Sequence, residues 1–181
     1  MFVGYRTIVV LCAGVIAAPV FGQEAVNVGG KWTKSNGADP ASGLKEVIFT
    51  LPADEAELGR SPSIRLECNG DGRLIHARYF ADTELIAKEG DYQNYGVPAI
   101  IPSVQLDKTK HFKGLWDLLP GHTSAELDKK TLRAVFSGTE MQVRYRDKAY
   151  NNFVDMYTLP GLDRREVVRA CGEHDWLSAK R

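Results

Sequence analysis

The sequence predicts a mainly β fold with one short helix in the middle of the chain and another near the C-terminus. Several short segments alternate apolar and polar residues, as strands do when they bury one face. Residues 69–72, Asn-Gly-Asp-Gly, follow one such segment and are a strong hairpin signal, because these residue types accept positive φ. Two other segments have helical apolar spacing and a capping residue at the start. These features predict antiparallel strands with two short helices.

The first 22 residues predict a cleavable secretory signal peptide. Arg6 precedes an apolar run over residues 8–20, which is long enough for a signal-peptide core and shorter than the roughly 20 residues that span a membrane. Small or tolerated residues at Val20 and Gly22 predict cleavage before Gln23. An uncleaved N-terminal anchor is the alternative, and Cys12 lacks the sequence context of a lipoprotein. We therefore expect a periplasmic or secreted protein.

The remaining chain has the size and charge of one soluble domain. Removing residues 1–22 from 181 leaves 159 residues, and we expect a single domain over residues 23–172 with a flexible tail over 173–181. The whole chain balances 23 Lys and Arg against 23 Asp and Glu, without the clustered basic excess of a nucleic-acid-binding protein. No later segment is apolar enough to span a bilayer, so stable membrane insertion after cleavage is not expected.

The first half of the domain predicts three strands, over residues 46–51, 63–68 and 73–80. Alternation in the second strand predicts an inward row and an outward row, with Ile64, Leu66 and Cys68 inside and Arg65 and Glu67 outside. Residues 23–31 are small and Gly-containing, which predicts a flexible lead-in. The polar residues 54–60 predict a loop.

The second half is less regular. Residues 90–102 and 108–123 show no clear period and are predicted to be irregular. Strands are predicted over residues 103–106, 141–145 and 152–159, the last one central because it carries large residues on both faces. A short helix is predicted over residues 128–137, with Asp128 as its cap, Gly138 as its end, and an apolar stripe of Leu132, Val135 and Phe136.

The last predicted element is a helix that carries a cysteine. Asp163 and Glu166 have the spacing of a capping box, Cys171 shares a face with two valines, and Gly172 ends the helix. After loss of Cys12 only Cys68 and Cys171 remain, and in an oxidising compartment they predict a disulfide between helix and sheet. Two buried free thiols are the alternative. A metal site is disfavoured because the two cysteines lie far apart in the sequence.

The motifs of common enzymes are absent from the sequence. His76, His111, His122 and His174 do not pair at a metal-binding spacing, and no Gly-x-Ser-x-Gly motif marks a nucleophile. The Asn-Gly-Asp-Gly segment is better explained as a turn than as a phosphate loop, because no helix follows it. We therefore expect no catalytic residues, no metal and no cofactor.

Two groups of side chains are candidates for a binding surface. Arg144 and Arg146, with Lys148 beyond them, project from one predicted strand and have the charge to receive an acidic partner. Their alternative role is to keep an edge strand from pairing with other chains. Aromatic residues of the irregular middle form the second group, whose alternative role is to close one end of the core: Tyr92, Tyr95, Phe112 and Trp116.

The order of elements over most of residues 30–172 supports a family resemblance. The matching features are Gly30-Lys31-Trp32 followed by Asp39, the strand at 46–52, Ile64-Arg-Leu-Glu-Cys68, Trp116, the helix at 132–136, Met141-Gln-Val-Arg-Tyr145, and Leu159-Pro160-Gly161-Leu162 before Cys171. In these features the chain resembles the periplasmic type VI secretion-associated proteins of the VasI/TagO kind. The resemblance implies a compact antiparallel β-sandwich with a disulfide-tethered C-terminal helix and an accessory or binding role without known catalysis.

Two functional hypotheses follow. The first is an exported, non-enzymatic binding or accessory protein of the cell envelope whose partner is another envelope or secreted protein. The second is an exported inhibitor of a lysozyme-like enzyme, a role that suits a small disulfide-linked β protein because a rigid loop loses little entropy on binding. A hydrolase with an unrecognised site is a third, weaker alternative.

Overall fold

The computed structural model describes residues 24–38, 43, 45–69, 73–87 and 97–172. The predicted signal peptide and C-terminal tail lie outside these residues. The described residues form twelve strands, two α-helices and a short 3-10 helix at Glu57–Gly59. The strands and α-helices are β1 (Val26–Gly29), β2 (Trp32–Ala38), β3 (Lys45–Pro52), β4 (Ser63–Asn69), β5 (Leu74–Phe80), β6 (Ala99–Ile100), β7 (Ser103–Leu106), β8 (Lys110–Lys113), β9 (Trp116–Leu118), β10 (Ser124–Glu126), α1 (Lys129–Ser137), β11 (Glu140–Arg146), β12 (Asn152–Thr158) and α2 (Arg164–Cys171). The predicted mainly β class is confirmed.

The strands form two antiparallel sheets whose inner faces share one core. The large sheet has the order β1-β2-β3-β4-β5-β10-β9-β6 and the small sheet has the order β12-β11-β7-β8. Tyr79 of the large sheet packs edge-on against Tyr145 of the small sheet, with ring centroids 5.6 Å apart. Trp32, Trp116, Tyr79 and Tyr157 are among the largest fully buried side chains. The antiparallel sandwich is thus present, with large aromatic residues in its core.

The predicted strands β3, β4 and β5 are confirmed, with one correction to side-chain placement. Ile64, Leu66 and Cys68 are fully buried, as alternation predicts. Glu67 was predicted to face solvent, yet it is only 6% exposed. Arg78 of the neighbouring strand covers it and donates a hydrogen bond of 2.7 Å to its carboxylate. Burial raises the pKa of Glu67, and the charge of Arg78 offsets part of that rise.

The N-terminal segment is not a flexible lead-in, because β1 and β2 extend the large sheet as a hairpin. This hairpin packs against the turn after β12, where the Trp32 indole N–H donates to the Leu159 carbonyl at 3.0 Å. Gly29 has φ of +135°, and a Cβ there would lie 1.9 Å from the Gly161 carbonyl oxygen. Glycine is therefore required by both the backbone conformation and the close approach of two chain segments.

The middle of the chain is more regular than predicted. Residues 108–123 contain the short strands β8 and β9, and β10 follows directly. Strands of three or four residues are too short for alternation to become visible in the sequence. A second correction concerns β12, which was predicted to be central. Among the described strands it pairs along its length only with β11 and so forms an edge of the small sheet.

Both predicted helices are confirmed. Asp128 caps α1, and its carboxylate accepts hydrogen bonds from the backbone N–H groups of Thr131 at 2.6 Å and Leu115 at 2.8 Å. Asp163 caps α2 by accepting from the Arg165 N–H at 2.8 Å. In the described part of the chain, neither helix has the length and hydrophobicity needed to cross a bilayer.

The predicted disulfide between Cys68 and Cys171 is present. It joins β4 to α2 with the two Cα atoms 5.1 Å apart, and it links residues separated by 103 positions. Both cysteines are fully buried. The disulfide therefore holds the C-terminal helix on the large sheet, which excludes the alternative of two free thiols.

Candidate binding surface on the small sheet

The outward face of β11 presents two arginines. Met141, Val143 and Tyr145 are buried, whereas Arg144 and Arg146 alternate with them and are exposed. Side chains alternate across a strand, so both guanidinium groups lie on the face of the small sheet that points away from the core. The sequence prediction for these two residues agrees with this placement.

The two arginines border a groove of about 800 Å³. Most of the described residues that line it are apolar or aromatic: Ile86, Ala87, Ile100, Ile101, Pro102, Tyr145, Tyr150, Phe153 and Val154, with Ser103, Arg144, Arg146 and Asn152 as the polar members. Ligand pockets typically combine an apolar lining of this size with a few convergent polar groups. The groove therefore has the composition of a binding site for a ligand that is partly apolar and carries negative charge.

Neither arginine is neutralised by a described acidic residue. Arg144 donates from Nε to the Gln142 Oε1 at 3.1 Å, and Arg146 donates from Nε to the Asn152 Oδ1 at 2.9 Å. Lys148 differs, because its ammonium lies 2.7 Å from a carboxylate oxygen of Glu84. Each guanidinium keeps its terminal N–H donors, which are suited to bidentate binding of a carboxylate or phosphate.

The hairpin between β11 and β12 fixes the position of Arg146 and Asn152. Asp147 accepts hydrogen bonds from the Asn151 backbone N–H at 2.8 Å and from its Nδ2 at 3.0 Å. Burial raises the pKa of Asp147, but the hydrogen bonds from Asn151 outweigh it, so the net shift is downward. The carboxylate therefore stays ionised and holds the turn in one conformation.

A buried polar cluster lies behind the groove, and we call Arg60, Asp155, Tyr79 and Tyr145 the arginine cluster. Arg60 donates from Nη2 to the Asp155 Oδ1 at 2.7 Å and from Nη1 to the Ala81 carbonyl at 3.0 Å. It also donates to the Tyr145 hydroxyl, while the Tyr79 hydroxyl donates to Asp155. The Arg60 guanidinium stacks 4.0 Å from the centroid of the Phe153 ring. The cluster thus joins the turn before β4, the large sheet and both strands beneath the groove.

The protonation states in this cluster follow from burial. Burial raises the pKa of Tyr79 and of Tyr157 well above the usual value for tyrosine, and it also raises the pKa of Tyr145. Burial alone would lower the pKa of Arg60, but the hydrogen bond to Asp155 and the nearby groups raise it. The phenols therefore remain neutral and the guanidinium remains charged. The side chains of Arg60 and Asp155 are 7% and 0% exposed, so these two charged groups are positioned to support the groove rather than to contact a ligand.

The second group of predicted binding residues has a different outcome. Trp116 is fully buried, and its indole N–H donates to the Thr131 hydroxyl at 3.1 Å. The assignment of Trp116 to a binding surface is therefore wrong, because the residue fills the core beside Tyr79. Phe112 is half-buried beneath Lys130. Tyr92 and Tyr95 lie outside the described residues.

The alternative role of the arginines, protection of an edge strand, stays a prediction, because Arg146 hydrogen-bonds across to Asn152 on the edge strand β12 although β11 itself is not an edge. Both arginines lie on β11, which is paired on one side with β12 and on the other with β7. Sequence reasoning also missed Arg60, Asp155 and Phe153. In the sequence Arg60 is a single arginine in a polar loop and Asp155 is a single aspartate in an apolar strand. Neither pattern predicts that the two residues meet across 95 positions.

No metal site emerges from the described residues, in which no three His, Cys, Asp or Glu side chains are grouped so as to hold an ion. Comparisons with protein-family models, curated proteins and solved structures gave no match. The geometry of the groove is therefore the basis for a functional assignment.

Proposed function

We propose that the chain is an exported, non-enzymatic binding protein of the cell envelope that uses the groove beside Arg144 and Arg146 to hold an acidic part of another envelope or secreted protein. The observation that carries this proposal is the pair of arginines without described acidic partners at the border of an apolar groove. Arginine is enriched where proteins recognise carboxylates and phosphates in a fixed geometry.

Export is supported by the disulfide, since such bonds persist in oxidising compartments and are rare in the cytosol. The periplasm or the extracellular space is the proposed destination. An accessory role in type VI secretion remains a prediction from the family resemblance. Inhibition of a lysozyme-like enzyme is the alternative prediction.

The non-enzymatic assignment rests on accessibility. The pKa values of Tyr79 and Tyr157 are raised well above the usual value for tyrosine, and both side chains are almost completely buried. Perturbed groups become candidates for catalysis when they face a cleft. In this protein Tyr79 and Tyr157 are enclosed in the core and do not line the groove.

The proposal is tested by capture from an envelope extract with the immobilised mature domain. We expect at least one envelope protein to be retained by the wild type and lost when both arginines are changed, Arg144→Gln and Arg146→Gln. The matched control changes two exposed arginines on the helices, Arg133→Gln and Arg164→Gln, and should retain the same protein.

Equal capture by the wild type and the groove variant would overturn the assignment of the binding surface. A parallel assay measures lysozyme turnover in the presence of the purified protein. Tight inhibition that is unchanged in the groove variant would replace the proposal with the inhibitor hypothesis.

A further inference from the structure

The edge strand β12 has one covered end and one open end. The Met156 N–H donates to the Glu55 carbonyl at 3.3 Å, and the Met156 carbonyl accepts from the Asp54 N–H at 2.7 Å. Both groups of Met156 therefore point away from β11. Alternate residues of a strand direct their N–H and C=O to the same side, so those of Asn152 and Val154 point the same way. In the part of the chain that the structure describes, no backbone group pairs with them on that side.

The side chains along this strand do little to prevent pairing. Proteins protect edge strands with charged residues, prolines or bulges. The outward-facing residues of β12 carry none of these devices: Asn152, Val154, Met156 and Thr158. The register between β11 and β12 is continuous over all seven pairs, without a bulge. The open end is therefore a regular strand edge that can accept another strand.

The open edge coincides with the groove and its charges. Asn152, Phe153 and Val154 all line the groove. Arg146 reaches from β11 across to the edge strand, as its 2.9 Å hydrogen bond to the Asn152 side chain shows. The Arg146 guanidinium therefore lies beside the edge strand on the outward face, and Arg144 lies two residues away along β11 on the same face.

We infer that the groove takes an extended acidic segment of the partner as an additional strand beside residues 152–154. Asn152 and Val154 together offer two N–H and two C=O groups to it. Carboxylates of the segment lie on the outward face of the sheet and bind Arg146 and Arg144. Its apolar side chains alternate with them and enter the groove beside the inward-facing Phe153. Backbone pairing supplies affinity and the alternating side chains supply specificity, as in other cases of strand addition. This inference rests on the proposed function and specifies the chemistry of its partner.

The test uses three synthetic peptides and fluorescence anisotropy with the mature protein. The first peptide alternates valine and glutamate over six residues. The second replaces glutamate by glutamine. The third keeps glutamate but is N-methylated at every backbone amide, so that none can donate whichever way the strand runs. We expect the second and third peptides to bind about tenfold more weakly or worse, which corresponds to losing about 1.4 kcal/mol of hydrogen bonding or charge pairing.

Variants and a direct readout separate strand addition from simple charge attraction. The Arg144→Gln and Arg146→Gln variant should lose affinity for the first peptide by at least about tenfold, and the Arg133→Gln and Arg164→Gln control should not. In the wild type, the amide protons of Asn152 and Val154 should become protected from hydrogen exchange when the first peptide is bound.

Two results would overturn the inference while leaving the proposed function intact. One is equal binding of the N-methylated peptide. The other is failure of all three peptides to bind while capture of the envelope protein still requires the arginines.

Dodecanoate, an amphipathic carboxylate, serves as a competitor. If it binds the groove tightly and the peptides do not, the inference is overturned and the occupant is a small amphipathic anion. Loss of arginine dependence in both assays would overturn the inference and the proposed function together.

Discussion

At the scale of single residues, the decisive feature is a buried ion pair beneath the proposed binding surface. Arg60 and Asp155 are 2.7 Å apart and almost completely excluded from solvent. Ion pairs of this kind contribute little net stability over an apolar pair, because both charges lose their hydration. They can nevertheless make the fold more specific, because each buried charge is tolerated only next to the opposite charge. In this protein the pair fixes the turn before β4 against β12, and the Arg60 guanidinium supports the Phe153 ring in the wall of the groove.

We expect Asp155→Asn to destabilise the protein by about 3 kcal/mol or more, because it leaves the Arg60 charge buried without a counter-ion. The measurement is urea unfolding, in which the midpoint should fall at unchanged slope. Asp117→Asn is the control, since Asp117 is a half-buried strand aspartate that makes no side-chain hydrogen bond to a described residue. Similar small losses in both variants would show that the arginine cluster is not fixed as described.

At the scale of elements, the sequence predicts those strands and helices whose periodicity is long enough to be read. β4 and β11 alternate over several residues, and both helices have clear caps, so their residues and faces follow from the sequence. β2 carries a polar run over residues 33–36, so its pairing with β3 becomes visible only in the structure. β12 was wrongly predicted to be a central strand. Its large outward residues are Val154, which lines the groove, and Met156, which is 37% exposed, so they do not form the second buried face of a central strand.

The length of the local pattern also explains which site residues could be predicted from the sequence. Arg144 and Arg146 follow from local alternation in β11. The arginine cluster depends on a contact between a loop and a strand 95 residues apart, which no local pattern encodes. Trp116 was misjudged because its short strand gave no indication of which side chains face the core.

The attachment of α2 to the N-terminal hairpin should depend on pH. The Glu166 carboxylate lies 2.5 Å from the Lys34 ammonium on β2 and 2.8 Å from a guanidinium nitrogen of Arg169. The hydrogen bond from Lys34 lowers the pKa of Glu166 below its ordinary value of 4.5. An acid with a lowered pKa in the folded state stabilises the fold above its unfolded pKa, and that stability is lost as the pH falls through the folded pKa.

We therefore expect Glu166→Gln to lower Tm at pH 7 by no more than about 2–4 °C, which corresponds to at most about 1 kcal/mol for a partly exposed pair. The difference from the wild type should shrink as the pH falls below 4.5 and vanish in stronger acid. Glu140→Gln is the control, because Glu140 is half exposed and 3.9 Å from the mostly exposed Lys108. A difference that persists unchanged at low pH would contradict the ionic origin of this contact.

At the scale of the whole molecule, the disulfide that stabilises the fold and the arginines of the proposed binding surface lie on different sheets. The disulfide and α2 lie on the large sheet, whereas the two arginines and the open strand edge lie on the small sheet. Among the described strands of the large sheet, only β6 contributes to the lining of the groove, through Ile100. The arginine cluster connects the two sheets through the shared core. A change in the disulfide should therefore alter global stability without altering the chemistry of the groove.

We expect Cys171→Ser to lower the free energy of unfolding by up to about 4–5 kcal/mol, since the disulfide closes a loop of about 100 residues in the unfolded chain. This corresponds to a fall in Tm of about 10 °C or more for a domain of this size. Cys68→Ser and the reduced wild type should give the same Tm, because each opens the same loop. Well below that Tm, the affinity for the alternating valine–glutamate peptide should match the wild type. An unchanged Tm would show that the disulfide contributes nothing to the fold. A loss of peptide affinity at full folding would show that α2 and the groove are coupled, contrary to their separation on two sheets.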